Sequence, residues 1–482
     1  MCLSSTTCSR PGRSVRWARP SMFWMFSTSS HTLCLRRRRQ PGDRCAVPAK
    51  VLEVWWGGEH VGQFTRSGLG QPVEFHYDSP DLPQISLSLP NGSKAGASAP
   101  GRFLRNLLPD RSQMLDRWAM TYQTDNSPFS LLEHVGTDVA GALVILPEGS
   151  SPAHDRAPVP FITKGDIAAR IISISHDADA WRDPDPQVGQ RFSLAGSQGK
   201  FTAANIDGRW AWPTVSAPST HIFKPGNNDL QQVEELEVAG LALAGEAGIP
   251  SPHAAVFTAM GQHAFQVERF DRDTSQDVAV RLHTEDMAQA LGVDVEHKYG
   301  VTAAQALKVL EPFGRPQQFM FIRQLAFNTS YGNSDAHAKN YSIYLEPDRV
   351  ELTPIYDTVP TQVYPQFNAN LAMSIGGAST SQGIEADNWR KLARQSGLDA
   401  EEVLDVVEDV SRTVSEQGMD VLKQHGVHGQ TLDAMAGIID RNTRKALSAS
   451  SAGHGMQRTT VQPRTSDGRY ANKPQSPSEV GL

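Results

Sequence analysis

Apolar residues along the 482-residue chain follow two rhythms, separated by stretches that have neither. From Lys50 to Phe64, two β-rich runs flank Gly57-Gly58, which reads as a hairpin. Phe75-His76-Tyr77 and the strictly alternating Ile85-Ser86-Leu87-Ser88-Leu89 add strands, and the apolar run at 139–147 adds another. Short helices are expected at 102–109 and 130–135. Residues 49–147 therefore read as a small α+β domain. Residues 148–160, marked by Pro152, Pro158 and Pro160, read as a linker.

Beyond the linker the rhythm alternates. Strands are expected at 221–225, 254–257 and 264–272, the last ending at a hinge between two lobes. An amphipathic helix at 231–248 carries Val233, Leu236, Ala239 and Leu243 on one stripe. The segment 319–327 reads as a core helix, and 341–344 and 350–353 as short strands. Three helical stretches at 385–396, 400–424 and 431–449 form an all-helical C-terminal region. A tail at 450–482, rich in Ser, Gly, Thr and Pro, is expected to be disordered.

Composition changes this picture at one end. The net charge of −7 hides ten basic residues and one acid in positions 1–50, so the rest of the chain is markedly acidic. An acidic body is a poor nucleic-acid binder unless a partner supplies the basic surface. Cys2, Cys8, Cys34 and Cys45 also lie in the first segment, and a body without thiols agrees with a cytoplasmic location. Residues 1–48 read as a disordered basic arm or a mis-called start, with a transit peptide as another reading. No run of about 18 apolar residues suggests a membrane helix.

The candidate chemistry centres on Asn333-Ser334-Asp335-Ala336-His337-Ala338-Lys339-Asn340, between the core helix and a strand. Asp-x-x-x-x-Asn suits phosphoryl transfer: Asp335 would orient an attacking hydroxyl and Asn340 would reach a magnesium ion. Asp357 could join that ion to nucleotide phosphates. Upstream, a small-residue loop at 192–203 includes Gly196, Gly199 and Lys200, and reads either as a phosphate cradle or as a plain hairpin turn. Lys224 ends a strand and Glu237 lies on the next helix, the pairing that grips α- and β-phosphates in protein kinases. Loop, strand Lys, helix Glu, hinge, Asp-x-x-x-x-Asn and metal Asp come in the order of a bilobal kinase.

The same residues resemble the HipA toxin kinases of bacterial toxin–antitoxin modules, over about residues 50 to 446. The resemblance is carried by 103–109, Asp138-Val139-Ala140-Gly141-Ala142, Ser193-Leu194-Ala195-Gly196, 267–272 and 285–289. It is most specific in Asp335-Ala336-His337-Ala338-Lys339-Asn340 and Pro354-Ile355-Tyr356-Asp357. It implies a protein-kinase-like fold behind a small N-terminal domain, and an ATP- and Mg2+-dependent Ser/Thr kinase. Asp335 would be catalytic, with Lys339 at the γ-phosphate, and Asn340 and Asp357 would bind the metal. Lys224, Glu237, Glu268, Phe270 and Gly196 would bind nucleotide, and Ser193 would be the site of autophosphorylation. The implied partners are a helix-turn-helix antitoxin of the HipB type, a protein substrate, and operator DNA only through the antitoxin. A corepressor of weak catalysis and a small-molecule phosphotransferase are the alternatives. The loop departs from the family's usual pattern at Ser197-Gln198-Gly199-Lys200, where Gly199 adds backbone freedom.

Overall fold

The computed structural model describes residues 49–450, apart from 155–157, 178–193, 195, 197, 227–228, 277 and 368–369. The expectations for the basic arm, for the tail beyond 450 and for Ser193 fall outside the described residues.

The predicted hairpin forms as β1 (Lys50–Trp56) and β2 (Glu59–Arg66). Gly57 and Gly58 turn with φ of 60° and 89°, a left-handed pair that suits glycine. With β3 (Val73–Tyr77) and β4 (Leu143–Pro147) they build an antiparallel sheet in the order β3-β2-β1-β4. Between β3 and β4 come α1 (Ala99–Asn106), α2 (Ser112–Tyr122) and α3 (Pro128–Val135). Leu52, Val54, Phe64, Phe103 and Leu131 are buried in one core.

Two expected strands are corrected. Residues 85–89 form a tight turn closed by an isolated Ser86–Leu89 bridge. The alternation there serves a different purpose: Ser86 Oγ and Leu87 N–H donate to the Glu285 carboxylate at 2.6 and 2.9 Å. The run at 139–147 becomes strand only from Leu143, because Gly141 sits at φ 80° and its N–H turns to Asp271 Oδ2 at 2.7 Å.

The next element is α4 (Lys164–His176), to which the sequence reading assigned nothing. Thr163 and Asp166 form its capping box, and Ile167, Ile171 and Ile174 bury one face. A mixed-length antiparallel sheet follows, ordered β6-β5-β7-β9-β8. Its strands are β5 (Phe201–Ile206), β6 (Arg209–Ala211), β7 (His221–Pro225), β8 (Ala254–Ala259) and β9 (Gln262–Glu268), with α5 (Val233–Glu246) inserted after β7. Phe201, Phe223 and Phe257 from this sheet share the core of the N-terminal sheet. The two units are thus packed as one body.

After the pair β10 (Arg272–Asp273) and β11 (Val280–Arg281) comes the second lobe. It begins with β12 (Thr284–Asp286), α6 (Met287–Ala290), α7 (Ala303–Leu310) and α8 (Arg315–Tyr331). Strands β13 (Ser342–Glu346) and β14 (Arg349–Leu352) join β12 in one sheet. The described residues end in a hairpin of β15 (Asn370–Ile375) and β16 (Ala378–Thr380), then α9 (Ala386–Gln395), α10 (Ala400–Gln424) and α11 (Gly429–Ser450). Val403, Val407, Val410 and Val414 of α10 are buried in a core with Phe321, Leu325 and Leu243. The three C-terminal helices sit where the sequence placed them. The fold is mixed α and β, with a sheet lobe and a mainly helical lobe.

Candidate active site

Strand alternation decides where Lys224 points. Its neighbour Phe223 turns into the aromatic core against Phe201 and Phe257, so Lys224 turns to the opposite face, beneath α5. Glu237 faces it from α5, and its Oε1 accepts from Lys224 Nζ at 2.6 Å. Lys224 Nζ also reaches Asp357 Oδ1 at 2.7 Å. Burial opposes the charge on Lys224, yet the two carboxylates raise its pKa and keep it an ammonium.

Helix α5 lies unusually close to the strand-end segment after Asp357. A Cβ on Gly240 would come within 2.7 Å of the Thr358 carbonyl and 2.8 Å of the Tyr331 ring. That close approach is what lets Glu237, Lys224 and Asp357 meet. Asp357 itself adopts φ 57°, a left-handed conformation uncommon outside glycine. It is held there by Asn333 Nδ2, which donates to the Asp357 carbonyl at 3.0 Å.

The predicted catalytic loop forms a 3-10 turn at Ala338–Asn340 between α8 and β13. Asn340 Nδ2 donates to Asp357 Oδ2 at 2.5 Å. Its Oδ1 is buried and has no hydrogen-bond partner among the described residues. A buried amide oxygen left without a donor is costly in a finished structure, and it is the atom a hard cation would take. Burial disfavours the ionised form of Asp357, but Lys224 outweighs it and holds the carboxyl well below the usual range. The pair Asn340 Oδ1 and Asp357 thus offers neutral and anionic oxygen, a donor set that fits Mg2+.

Asp335 opens into the same cleft and is exposed there. Partial burial and the facing Asp357 push its carboxyl up to about 6, against the pull of Lys298. His337 goes the other way, down to about 4 through burial and Lys298, and its Nδ1 has no partner among the described residues. It is a neutral imidazole packed edge-on to Tyr299, with ring centroids 5.2 Å apart.

The cleft has a volume of about 800 Å³, within the range of a small-molecule site. Gly196, Lys224, Glu237, Glu268, Phe270, Asp335, Asn340 and Asp357 all line it. Phe270 packs against Tyr356 at 5.2 Å, and its carbonyl accepts from Tyr344 Oη at 2.8 Å. The Glu268 side chain is half-exposed, 3.6 Å from His253, and its N–H donates to the His253 carbonyl at 2.9 Å. Lys339, expected at a γ-phosphate, also lines the cleft, and its Nζ donates to Asn106 O and Oδ1, both at 2.9 Å.

Four residues lining or edging the cleft escaped the sequence reading as site residues. Lys200 points toward Gly196, where a Cβ would lie 2.6 Å from its Nζ, and burial with Lys224 nearby pushes it down to about 8. Its place after Gly199 was the only signal. Lys298, Tyr299 and Asp110 gave none, because their neighbours are distant in sequence.

Comparison with known proteins agrees with this geometry. Residues 192–417 match the family model described as HipA-like C-terminal domain, and residues 52–146 match HipA N-terminal domain. A protein of Sinorhizobium fredii that bears the name "Putative kinase Y4mE" is 34% identical over 372 residues, 73% of this chain and 87% of that one. The serine/threonine-protein kinase toxin HipA of Shewanella oneidensis is 26% identical over 377 residues, 72% of this chain and 83% of that one. A solved complex of Shewanella oneidensis HipA, HipB and operator DNA superposes with a TM-score of 0.68 at 23% identity. It covers 83% of this chain and 97% of the other.

Proposed function

This chain belongs to the HipA family of serine/threonine-protein kinases, and from that premise we propose that it is a toxin of a toxin–antitoxin module, using ATP and Mg2+. The observation that carries the reading is the Asn340 Oδ1 left without a partner among the described residues, beside an ionised Asp357 and a doubly paired Lys224. Asp335 would orient the attacking hydroxyl and take its proton, for which a carboxyl near 6 is well placed at neutral pH. Asn340 and Asp357 would hold the metal. The magnesium, when bound, would offset charge on the phosphates.

Lys224, fixed by Glu237, would meet the α- and β-phosphates, with the backbone at Gly196 over them. Glu268 through its backbone and Phe270 through its ring would flank the base. Ser193 would accept a phosphate from the enzyme itself, and a cytosolic protein, in line with a role in translation, would be the substrate in trans. The solved relative carries HipB and operator DNA, and a HipB-type helix-turn-helix antitoxin is the partner proposed here. The net charge of −7 supports DNA contact through that partner alone. Among the described residues no helix is long and apolar enough to cross a membrane.

The test is intact-mass and peptide mass spectrometry after incubation with MgATP, with Asp335→Asn alongside. The expected result is a phosphate on Ser193 in the wild type and none in the variant. Phosphate on neither, with no thermal shift from MgATP, would favour the corepressor reading.

A further inference from the structure

The catalytic loop and the glycine loop belong to different lobes, yet one short segment of the N-terminal domain touches both. At the end of α1, Asn106 is 1% exposed and receives both hydrogen bonds from Lys339 Nζ. Its own Nδ2 donates to Val293 O at 2.9 Å and Arg102 O at 3.0 Å, so the amide is fixed in orientation. Four residues on, the Asp110 N–H donates to the Gly196 carbonyl at 3.1 Å. The Asp110 carboxylate accepts from Lys298 Nζ at 2.7 Å and lies 3.8 Å from Lys339 Nζ. Arg105 stiffens the span between them by donating to the Pro109 and Asp110 carbonyls at 2.8 and 3.0 Å.

The catalytic side of this contact is equally short. Lys339 passes its restraint directly to Asn340, and its carbonyl accepts from Tyr356 Oη at 2.7 Å, next to Asp357. Beside Lys298 stands Tyr299, packed on His337 two residues from Asp335. Asp286 is the other acid near Lys339, at 3.6 Å, too long for a hydrogen bond. Without the N-terminal segment, a lysine with a side chain only 3% exposed would lose both its hydrogen bonds.

We propose that Asn106 and Asp110 are positioning residues for phosphoryl transfer, a strut from the N-terminal domain that holds the glycine loop and the catalytic loop in register. They touch neither nucleotide nor hydroxyl. They act through Lys339, Lys298 and the Gly196 carbonyl. The inference rests on the catalytic roles proposed above, but its geometry stands apart from them.

The experiment compares full-length wild type, Asp110→Asn and Asp110→Glu. The Asn variant keeps the shape and the backbone bond to Gly196 and removes the charge. MgATP turnover and amide hydrogen exchange over 333–340 are both read, with the thermal midpoint as control. Asp110→Asn is expected to lower kcat about tenfold, the scale of one charge-assisted hydrogen bond, with KM for ATP unchanged. Exchange over 333–340 should rise while exchange in β1 and β2 stays at the wild-type rate, and Asp110→Glu should restore both readouts. Wild-type exchange and turnover in Asp110→Asn would overturn the proposal, as would a loss that simply follows a lower midpoint across the whole domain. A wild type that turns over no ATP would count against the kinase reading, and the exchange over 333–340 would still decide the strut.

Discussion

Two clusters of buried charge lie on either side of the cleft, and they are built to opposite ends. Behind the hinge, Asp138, Arg269, Asp271 and Arg272 are all buried, and every polar side-chain atom in the set has a partner. Arg269 forks onto Asp271 at 2.9 and 2.6 Å, Arg272 reaches Asp138 at 2.9 Å, and Ser219 Oγ donates to Asp138 at 2.6 Å. In the cleft, Lys224, Glu237 and Asn340 are buried beside a half-exposed Asp357, and Asn340 Oδ1 and the nearby His337 Nδ1 are left without partners among the described residues. A closed network specifies a fold, whereas an incomplete one asks for a ligand. The hinge cluster fixes where the N-terminal domain sits; the cleft cluster is a socket.

The contrast is sharpest if each cluster is broken alone. Asp335→Asn should cost on the order of 10³ in phosphoryl transfer, the scale of a lost general base, and leave urea unfolding unchanged. Asp138→Asn should do the reverse, leaving Arg269 and Arg272 poorly compensated and lowering unfolding free energy by about 3–5 kcal/mol. If the hinge variant unfolds like wild type, the distinction between the clusters fails. Gly240→Ala falls between, pushing α5 from Thr358 for about 1–3 kcal/mol in urea unfolding, with weaker MgATP binding by calorimetry.

A further effect is one of pH. Burial pushes Glu285 up to about 8, despite the donors Ser86 and Leu87, so the folded protein holds a proton that the unfolded chain has released. Its contribution is whole below pH 4.5 and is lost as pH rises toward 8, at no more than about 1.4 kcal/mol per pH unit. Asp271 has the opposite sign: its carboxyl is held far below the usual range by Arg269 and Arg272 against burial, so its contribution is lost only in acid. Unfolding curves of Glu285→Gln should therefore lose slope between pH 5 and 8, the window set by the 4.5-to-8 shift, while the acid limb remains.

What the sequence made legible was local. Lys224, Glu237, Asp335, Asn340 and Asp357 each stand in or just after an element whose period is plain, and the order of those elements is the order of a kinase. What it hid was long-range. Lys339 and Asn106 are 233 positions apart, and no local pattern tells that the lysine is a tie to another domain. The turn at 85–89 misled for the same reason, since its alternation is paid off 199 residues away at Glu285. Helix α4 was the exception: its buried Ile167, Ile171 and Ile174 are regularly spaced, yet the stretch after the linker at 148–160 was assigned no element.

The backbone of Asp357 bears on how this site can be interrogated. At φ 57° a β-carbon is tolerated at a cost of roughly 1–2 kcal/mol, a cost that Asp and Asn reduce through local hydrogen bonding. An alanine scan would therefore remove the carboxylate and strain the main chain in a single step, and its result could not be apportioned. Asparagine is the substitution that changes charge alone, and the step from alanine to glycine, both lacking the carboxylate, is the one that relaxes the chain alone. Only the two together separate chemistry from conformation at that position.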